Sequence, residues 1–324
     1  MEVKMNNHLT DKEIKIVNLI QTNQKEKFIN FVDNILTNNS DSLVDDFYCK
    51  GGTLFRGLNI NSIEKFEALC VNFENNIVDY KDGNSPRTKI SSSVYTSTEY
   101  HSEVLISQHN ELSYSNHRPR YLIFCCIKPS LTGGETPLAD CRKILAQMPD
   151  KIKNEFSRKG LKYIRNLQNG NKIGKSWQDT FETSNKDKIN EFCKKNDINY
   201  TWLKNDVLRL VQIGLVTLKH HITKEEVWFN QATQFHPHYL PPELASYMKM
   251  LYGENAFNYP QHVLFGDDTD IPTEYLDAII SVVSDNTESF PWAEGDVLFI
   301  DNALLSHGRM PYTGERKILV SCLK

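Results

Sequence analysis

The seven cysteines of this 324-residue chain include no C-x-x-C pair, and this absence excludes two classes of small scaffold. A zinc ribbon needs closely paired cysteines, and a secreted disulfide framework needs an even, regularly spaced set. No local signature of a cysteine nucleophile is present either. We therefore expect reduced thiols, mostly buried, in a reducing compartment. The cysteines lie at positions 49, 70, 125, 126, 141, 193 and 322.

Long apolar runs and basic runs are also missing. The longest apolar stretches, such as 121–127, have the length of a strand and are far shorter than a membrane span. The first ten residues are polar and contain no apolar signal-peptide core, so we expect a cytoplasmic protein without a membrane partner. A net charge of −4, without Lys/Arg runs interleaved with aromatics, argues against a nucleic-acid partner. The oligomeric state is not readable from the sequence.

The length and the order of the hydrophobic patterns favour a single domain over residues 1–324. Residues 1–50 contain apolar side chains at helical spacing, and about 88–128 consists of short β-prone runs. About 142–205 is typical of a helical insertion, after which strand-like runs return. This order lacks the regular strand–helix alternation of a doubly wound sheet. We predict a β-rich α+β fold with a double-stranded β-helix (jelly-roll) core, N-terminal helices and inserted helices.

The tripeptide His109-Asn110-Glu111 is the first part of the sequence that indicates a metal site. Residues i and i+2 of a strand project from the same face, so His109 and Glu111 can approach one ion together. A distant histidine, His307, would complete the two-histidine, one-carboxylate triad that holds Fe(II) and leaves positions open for cosubstrate and oxygen. A lone histidine is more often a satisfied core or surface residue, so the argument depends on the surrounding sequence.

Two other histidine patterns compete with this tripeptide. His101-Ser102-Glu103 repeats the H-x-E pattern, but its surroundings predict a solvated loop. His236 and His238 form an H-x-H pair that could in principle hold a metal, although no carboxylate stands near it in the sequence. We therefore expect neither pattern to form the metal site.

Three downstream segments supply the context. Residues 133–140 read Gly-Gly-Glu-Thr-Pro-Leu-Ala-Asp, where paired glycines allow positive φ and a close approach of a ligand, and Thr136 adds a hydroxyl. Residues 228–231 read Trp-Phe-Asn-Gln, which suits either a pocket wall or a packed strand edge. Residues 295–316 predict a buried strand, a polar turn, His307 and then Arg316, whose planar guanidinium suits a carboxylate.

Together these motifs resemble the taurine dioxygenase/clavaminate-synthase-like (TauD/TfdA) family of Fe(II)- and 2-oxoglutarate-dependent oxygenases. They are H-N-E-x-S-Y, G-G-E-T-P, W-F-N and G-D-x-x-x-x-D-N-x-x-x-x-H-x-R-x-P-[FY], in the family order over residues 109–316. The similarity extends from about residue 50 to the end of the chain. It implies an enzyme that uses Fe(II), 2-oxoglutarate and O₂ to hydroxylate, or otherwise oxidise, an unactivated C–H bond with release of succinate and CO₂.

The resemblance implies roles for five residues. His109, Glu111 and His307 would bind the iron. Thr136 and Arg316 would hold the distal carboxylate of 2-oxoglutarate. No general base from the protein is required, because the iron and the cosubstrate supply the difficult chemistry.

One interval departs from the family pattern. The stretch from His307 to Arg316 is shorter than in taurine-type members, which makes Arg309 a competing anchor for the cosubstrate. Its position two residues after His307 favours a role in supporting the site over a role in binding the cosubstrate. Glu111 also carries information, because halogenases of this type have a small residue at its position. Hydroxylation or a related oxidation is therefore expected.

The substrate is implied only in outline. Relatives with these motifs commonly act on amino acids, free or carrier-tethered, in specialised metabolism, so the resemblance implies a small amino-acid-like substrate. Each candidate contact could equally be structural. The candidates are Asn110, Arg118, Arg165, Asn230 and Gln231.

Three alternatives stay open. The same chemistry could end in desaturation or cyclisation. The chain could be a catalytically silent, regulatory or metal-binding member of the fold, although its intact ligand set argues against this. It could also be a hydrolase that holds Zn²⁺ with the same three ligands, but Thr136 and Arg316 would then have no obvious task.

Overall fold

The computed structural model describes residues 14–170 and 174–324. Within these residues the helices are α1 (Lys25–Leu36), α2 (Ser42–Lys50), α3 (Ile63–Cys70), α4 (Cys141–Gln147), α5 (Asp150–Lys159), α6 (Trp177–Phe181), α7 (Lys186–Lys195), α8 (Ala232–Phe235), α9 (Pro242–Tyr252) and α10 (Thr273–Asp285). The strands are β1 (Asn18–Gln21), β2 (Gly52–Arg56), β3 (Tyr95–Thr96), β4 (Ile106–His109), β5 (Tyr121–Lys128), β6 (Thr132–Gly133), β7 (Leu138–Asp140), β8 (Leu161–Leu167), β9 (Asn199–Trp202), β10 (Leu208–Gly214), β11 (Thr217–Lys219), β12 (Glu226–Trp228), β13 (Gln261–Phe265), β14 (Thr287–Glu288), β15 (Val297–Asp301), β16 (Leu305–Arg309), β17 (Tyr312–Thr313) and β18 (Lys317–Leu323).

A six-stranded sheet has the order β1-β2-β15-β5-β18-β3. β1 and β2 pair in parallel, and the other neighbours pair antiparallel. Side chains alternate along β5: Leu122 and Phe124 belong to one core, whereas Ile123 and Cys125 belong to another. Because both faces of this sheet are covered, its central strands are continuous apolar runs in the sequence.

Helices α1, α2 and α3 cover one face of this sheet with aromatic side chains. The ring centroids of Phe28 in α1 and Phe55 in β2 lie 5.0 Å apart. Phe47 in α2 stacks on Phe299 in β15 with a centroid separation of 5.2 Å. The N-terminal helices therefore pack on the face of this sheet that lies away from the histidine motifs.

A four-stranded sheet, β14-β7-β16-β4, shares the core on the opposite face. Leu138 of β7 and Leu305 of β16 join the same hydrophobic core as Leu54 and Phe124 of the larger sheet. The two sheets form the double-stranded β-helix core, which confirms the predicted fold class. β4 and β16 of the smaller sheet carry His109 and His307, so this sheet positions the site.

A third sheet, β13-β8-β10-β9, includes much of the predicted insertion. Helices α6 and α7 pack on it through a separate small core that includes Trp177 and Ile189. The expectation that about 142–205 is helical is wrong for β8 and β9. β8 is buried along most of its length between β10 and β13, so its sequence lacks the alternation that identifies a half-exposed strand.

The expected N-terminal helical segment, 1–50, also needs a correction. Residues 1–13 lie outside the described residues, and α1 and α2 agree with the prediction. β1 does not, because residues 18–21 pair with residues 53–56 of β2. That pairing depends on a partner far along the chain, which helical spacing of apolar residues within one segment cannot indicate.

Two further expectations concern cysteine chemistry and membranes. All seven cysteines are free and six of them are buried, which agrees with the prediction of reduced, mostly buried thiols. Across residues 14–170 and 174–324, no helix is long and apolar enough to cross a membrane.

Replacing Phe299 with alanine tests the aromatic core between the helices and the larger sheet. The ring is fully buried and stacks on Phe47 and Tyr121. The cavity left behind should lower the free energy of unfolding by about 3–5 kcal/mol, measured by urea denaturation. Met250→Ala is the control, because Met250 is 71% exposed and its replacement should change stability by less than about 0.5 kcal/mol. Similar losses for both variants would contradict this account of the core.

Candidate metal and cosubstrate site

Antiparallel pairing of β4 with β16 brings two histidines together. His109 lies directly opposite His307 in the strand register, and their ring centroids are 4.4 Å apart. Glu111 follows two residues later, with its Oε2 3.8 Å from His307 Nε2. Ligand atoms of these three buried residues all lie within 4.8 Å of one another. In the part of the chain that the structure describes, no other group of three His, Cys, Asp or Glu side chains has this geometry.

Two asparagines fix the backbone around Glu111. The Asn302 side-chain oxygen accepts a hydrogen bond from the Glu111 backbone N–H at 2.7 Å, and Asn302 Nδ2 donates to the Glu111 carbonyl at 2.9 Å. Asn110 in turn donates from Nδ2 to the Asn302 carbonyl at 2.7 Å. The structure thus gives Asn110, expected as a substrate contact, a different position: its side-chain amide links the H-N-E motif to the D-N motif. Asn302 is the asparagine of the D-N motif.

The ring nitrogens of the histidine pair suit a bound cation. His109 Nδ1 lies 2.9 Å from the Ser107 carbonyl, a contact that favours the proton on Nδ1 and leaves the Nε2 lone pair for a ligand. His109 Nε2 and both ring nitrogens of His307 are buried without a hydrogen-bond partner among the described residues. Burial, and then the neighbouring His307, lowers the pKa of His109 to about 4, so this ring is neutral at pH 7, as a metal ligand must be.

Glu111 is held by two residues that sequence reasoning missed. The Tyr80 hydroxyl donates to Glu111 Oε1 at 2.9 Å, and Arg87 Nη2 donates to Oε2 in a buried ion pair. Burial opposes ionisation of the carboxyl group, but Arg87 and the two histidines hold the pKa of Glu111 well below its usual range. The sequence of residues 80–87 indicates only a loop, because the contacts of Tyr80 and Arg87 with Glu111 leave no pattern within this segment.

An inner cavity adjoins the histidine pair and contains three arginines but no acidic side chain among the described residues that line it. An anion entering it would therefore meet positive charge without a competing carboxylate. Burial, and then Arg309, lowers the pKa of Arg316 to about 10, which leaves it charged at pH 7. The inner cavity is lined by Arg87, Ser97, Thr98, Ile106, His109, Phe124, Thr136, His307, Gly308, Arg309, Arg316 and Ile318.

The paired glycines let Arg316 pack against the backbone beside this cavity. Gly133 and Gly134 have φ values of +66° and +75°. A β-carbon on Gly134 would lie 2.4 Å from Ser130 Oγ and 3.0 Å from Arg316 Cδ. Arg316 Nε donates to the Gly134 carbonyl at 2.7 Å. Thr136, in the same segment, accepts a hydrogen bond at 3.2 Å from the indole N–H of Trp292.

Arg309 braces a loop. Its two terminal nitrogens donate to four backbone carbonyls of residues 98–104 at 2.6–3.1 Å. These bonds already occupy both nitrogens, whereas Arg316 makes fewer contacts with the protein. His101 and Glu103 lie exposed in the same loop, which agrees with the prediction that this H-x-E copy is solvated.

An outer groove of about 790 Å³ lies beside the metal-ligand cluster. Arg87 lines both the groove and the inner cavity, so its guanidinium lies at their junction. The groove is lined by Tyr80, Asn84, Pro86, Arg87, Lys89, Tyr95, Glu99, Tyr100, Asn166, Leu167, Gly174, Lys175, Gln178, Asp179, Glu182, Pro260 and Gln261.

Arg118 and Arg165, two of the predicted substrate contacts, line neither space. Arg165 is fully buried, pairs with Asp82 and donates to Gln212 Oε1 at 2.8 Å, as a buried charge requires. Arg118 donates to a backbone carbonyl at 3.2 Å. A substrate role for either arginine stays a prediction.

Asn230 and Gln231 also lie outside the walls of both spaces. Asn230 Nδ2 donates to the Val216 carbonyl at 3.1 Å, and the backbone N–H of Gln231 donates to the Tyr163 hydroxyl at 2.9 Å. The W-F-N-Q segment thus packs as a strand edge, which was one of the two interpretations of its sequence.

Comparison with known proteins identifies the family. The model described as "Taurine catabolism dioxygenase TauD, TfdA family" matches residues 21–323. The dapdiamide synthesis protein DdaC of Enterobacter agglomerans is 33% identical over 299 residues, covering 89% of this chain and 90% of DdaC. A clavaminate synthase-like protein of Arabidopsis thaliana is 27% identical over 293 residues, covering 88% of this chain and 84% of its own length.

A solved structure shows the same fold at low sequence identity. PvcB of Pseudomonas aeruginosa, described as an Fe, alpha-ketoglutarate dependent oxygenase from an isonitrile synthetic pathway, has a TM-score of 0.50 and 12% identity. The match covers 99% of this chain and 95% of PvcB. The family match confirms the predicted enzyme class together with its cofactors, iron and 2-oxoglutarate. The chain belongs to the TauD/TfdA family of Fe(II)- and 2-oxoglutarate-dependent dioxygenases.

Proposed function

We propose that this protein hydroxylates an unactivated C–H bond of a small amino-acid-like substrate, with Fe(II) held by His109, Glu111 and His307. The observation that carries the proposal is the cluster of buried ring nitrogens without partners beside an ionised carboxylate. Two neutral imidazoles and one carboxylate are the donor set of non-haem iron oxygenases. A structural zinc site would use four protein ligands, and three come together among the residues that the structure describes.

The inner cavity would receive 2-oxoglutarate. Arg316 and the hydroxyl of Thr136 would hold its distal carboxylate, because both line the cavity. Thr136 follows Gly134 in the chain, and Arg316 packs against Gly134. A guanidinium gives a carboxylate charge-assisted, bidentate hydrogen bonds. Arg309 would hold the neighbouring loop in place, since its terminal nitrogens already bind backbone carbonyls.

Bound Fe(II) with 2-oxoglutarate and O₂ supplies the oxidation of the C–H bond, with release of succinate and CO₂. The protein contributes placement and a dry environment. Phe124 packs on His307 with ring centroids 5.2 Å apart, and Ile106 and Ile318 add apolar walls to the inner cavity. These side chains limit access of water to the oxidising centre.

The charges of the outer groove support an amino-acid-like substrate. The groove contains the cations Arg87 and Lys175 and the anions Glu99 and Asp179, so it offers partners to both groups of a zwitterion. The relative DdaC is named for dapdiamide synthesis, which supports a role in making a small molecule. We include both free and carrier-tethered amino acids in this proposal.

Alanine at His109 or Glu111 tests the metal assignment. Protein supplied with Fe(II), 2-oxoglutarate, O₂ and a panel of amino acids should form succinate, and either substitution should abolish this because the iron loses a ligand. His238→Ala is the matched control, since His238 lies outside the cluster and is partly exposed. It should retain turnover.

The same assay separates the rival chemistries. Zn(II) in place of Fe(II) should give no succinate, because zinc has no redox chemistry. Full turnover by either alanine variant, or equal turnover with zinc, would contradict the proposed function. Mass analysis of the product distinguishes hydroxylation, which adds one oxygen atom, from desaturation or cyclisation.

Alanine at Gly134 tests the cosubstrate site. The added methyl would collide with Ser130 and Arg316, so the KM for 2-oxoglutarate should rise about 10- to 100-fold, the range for losing a hydrogen bond to a charged group. Gly253→Ala is the matched control, because Gly253 also has a positive φ but has no atom within 4 Å of an added methyl. It should cost stability alone, about 1–3 kcal/mol. Equal KM values for the two variants would contradict the assignment of Arg316.

A further inference from the structure

Arg87 is a buried cation that uses only part of its hydrogen-bonding capacity. Its side chain is 3% exposed, and Nη2 pairs with Glu111. Nε and Nη1 are buried and have no hydrogen-bond partner among the described residues. Leaving two donors of a buried charge unpaired is costly, so few native sites retain them without a function. The geometry points to a ligand with acceptor atoms.

Arg87 also lies where such a ligand would pass. It lines the groove on one side and the inner cavity on the other. Its guanidinium carbon stacks 4.2 Å from the ring centroid of Tyr80, whose hydroxyl binds Glu111. A ligand group that binds Arg87 would therefore lie next to the proposed iron ligand Glu111.

Lys175 places a second positive charge beside the ring of Tyr80. Its Nζ lies 5.7 Å from the ring centroid of Tyr80 and donates to the Gly83 carbonyl at 3.2 Å. It forms no ion pair with the described carboxylates, and burial, followed by Arg87, lowers its pKa to about 8. Lys175 therefore remains mostly protonated at pH 7.

The acidic groups of the groove bind partners other than Arg87 and Lys175. Glu182 pairs with Lys89 at 2.8 Å, and Asp179 accepts from the Ser176 hydroxyl at 2.6 Å. Glu99 accepts from the hydroxyls of two threonines. None of these three carboxylates forms an ion pair with Arg87 or Lys175 among the described residues, so both cations can still bind an anionic group of a ligand.

Metal binding would weaken the ion pair between Glu111 and Arg87. Glu111 is the only carboxylate that pairs with Arg87 among the described residues. A divalent ion on His109, Glu111 and His307 would neutralise that carboxylate and repel the guanidinium. Arg87 would then have still more capacity for another anion.

We propose that Arg87 and Lys175 together bind a carboxylate of the primary substrate at the junction of the groove and the inner cavity. This inference rests on the proposed function, because it requires an amino-acid-like substrate that enters through the groove. It narrows that substrate to one with a free carboxylate. If the group is the α-carboxylate, the substrate is not attached to a carrier through that carboxyl group.

The test measures binding rather than turnover. Protein loaded with Fe(II) and 2-oxoglutarate without oxygen is titrated in a calorimeter with the twenty proteinogenic amino acids and with their C-terminal amides. The variants are Arg87→Met, Arg87→Lys and Lys175→Met. Matched controls are Arg158→Met, on the exposed surface of α5, and Lys81→Met, in the same loop as Arg87 but outside both cavity walls.

The wild-type protein should bind its preferred amino acid at least 10-fold more tightly than the amide. Arg87→Met should weaken binding of the acid about 10- to 100-fold and leave the amide unchanged, which removes the preference. Lys175→Met should weaken acid binding about 10-fold. Arg87→Lys should fall in between, because lysine keeps the charge but not the planar fork. Both control variants should bind the acid as tightly as the wild-type protein does, and Lys175→Met, which lies outside the inner cavity, should retain wild-type affinity for 2-oxoglutarate.

The C-terminal amides of aspartate and glutamate keep the side-chain carboxylate. They therefore show whether the protein recognises the α-carboxylate or the side-chain carboxylate. If they bind as tightly as the free acids, the side-chain carboxylate is the group recognised; if they bind weakly, it is the α-carboxylate. Either result supports the inference, provided that Arg87→Met weakens binding of the free acid.

Three results would overturn the inference. A ratio of one between the wild-type and Arg87→Met affinities for the free acid shows that Arg87 does not bind a substrate carboxylate. Loss of 2-oxoglutarate affinity instead assigns Arg87 to the cosubstrate. A wild-type protein that binds no amino acid rejects the proposed substrate class and the inference together. If Arg87→Met does not fold, as judged by circular dichroism, the ratio measured for Arg87→Lys decides.

Discussion

The register between β4 and β16 is the constraint on which the rest of the site depends. A slip of one residue would turn His109 to the opposite face of the sheet, away from His307. Gly308 allows the two strands to approach, because a β-carbon there would lie 2.5 Å from the Ile106 carbonyl. Asn302 then ties the turn before β16 to the backbone of Glu111. The fold thus brings two imidazoles and one carboxylate together.

Charge organises the surroundings of this cluster. Glu111 stays ionised although it is buried, because Arg87 and the histidines outweigh the cost of desolvation. The inner cavity is lined by three arginines and by no acidic side chain among the described residues, which supports the proposed site for 2-oxoglutarate. Arg87 and Lys175 line the groove, which supports the proposed site for a substrate carboxylate. The proposed arrangement combines a site for a cation with two sites for anions, and Arg87 would contact both kinds of site.

Sequence reasoning succeeds where chemistry is encoded in short, ordered motifs. The H-N-E tripeptide, the paired glycines and the segment from 295 to 316 predict the residues that the fold brings together at one end of the sheets. Sequence reasoning fails where the role of a residue depends on contacts with distant segments of the chain. Arg87 and Tyr80 lie in a loop without a pattern, and β8 lacks alternation because it is largely buried. Arg165 illustrates the opposite error, since a buried ion pair with Asp82 uses an arginine that a motif suggested for substrate.

A crystal structure grown without oxygen, in the presence of Mn(II) and 2-oxoglutarate, tests the central claim most directly. Manganese takes the same carboxylate and imidazole ligands without the redox reaction, and its anomalous scattering locates it. The account predicts one anomalous peak between His109, Glu111 and His307, with the cosubstrate reaching towards Arg316. No peak at these three side chains, or a peak at His236 and His238 instead, would contradict it.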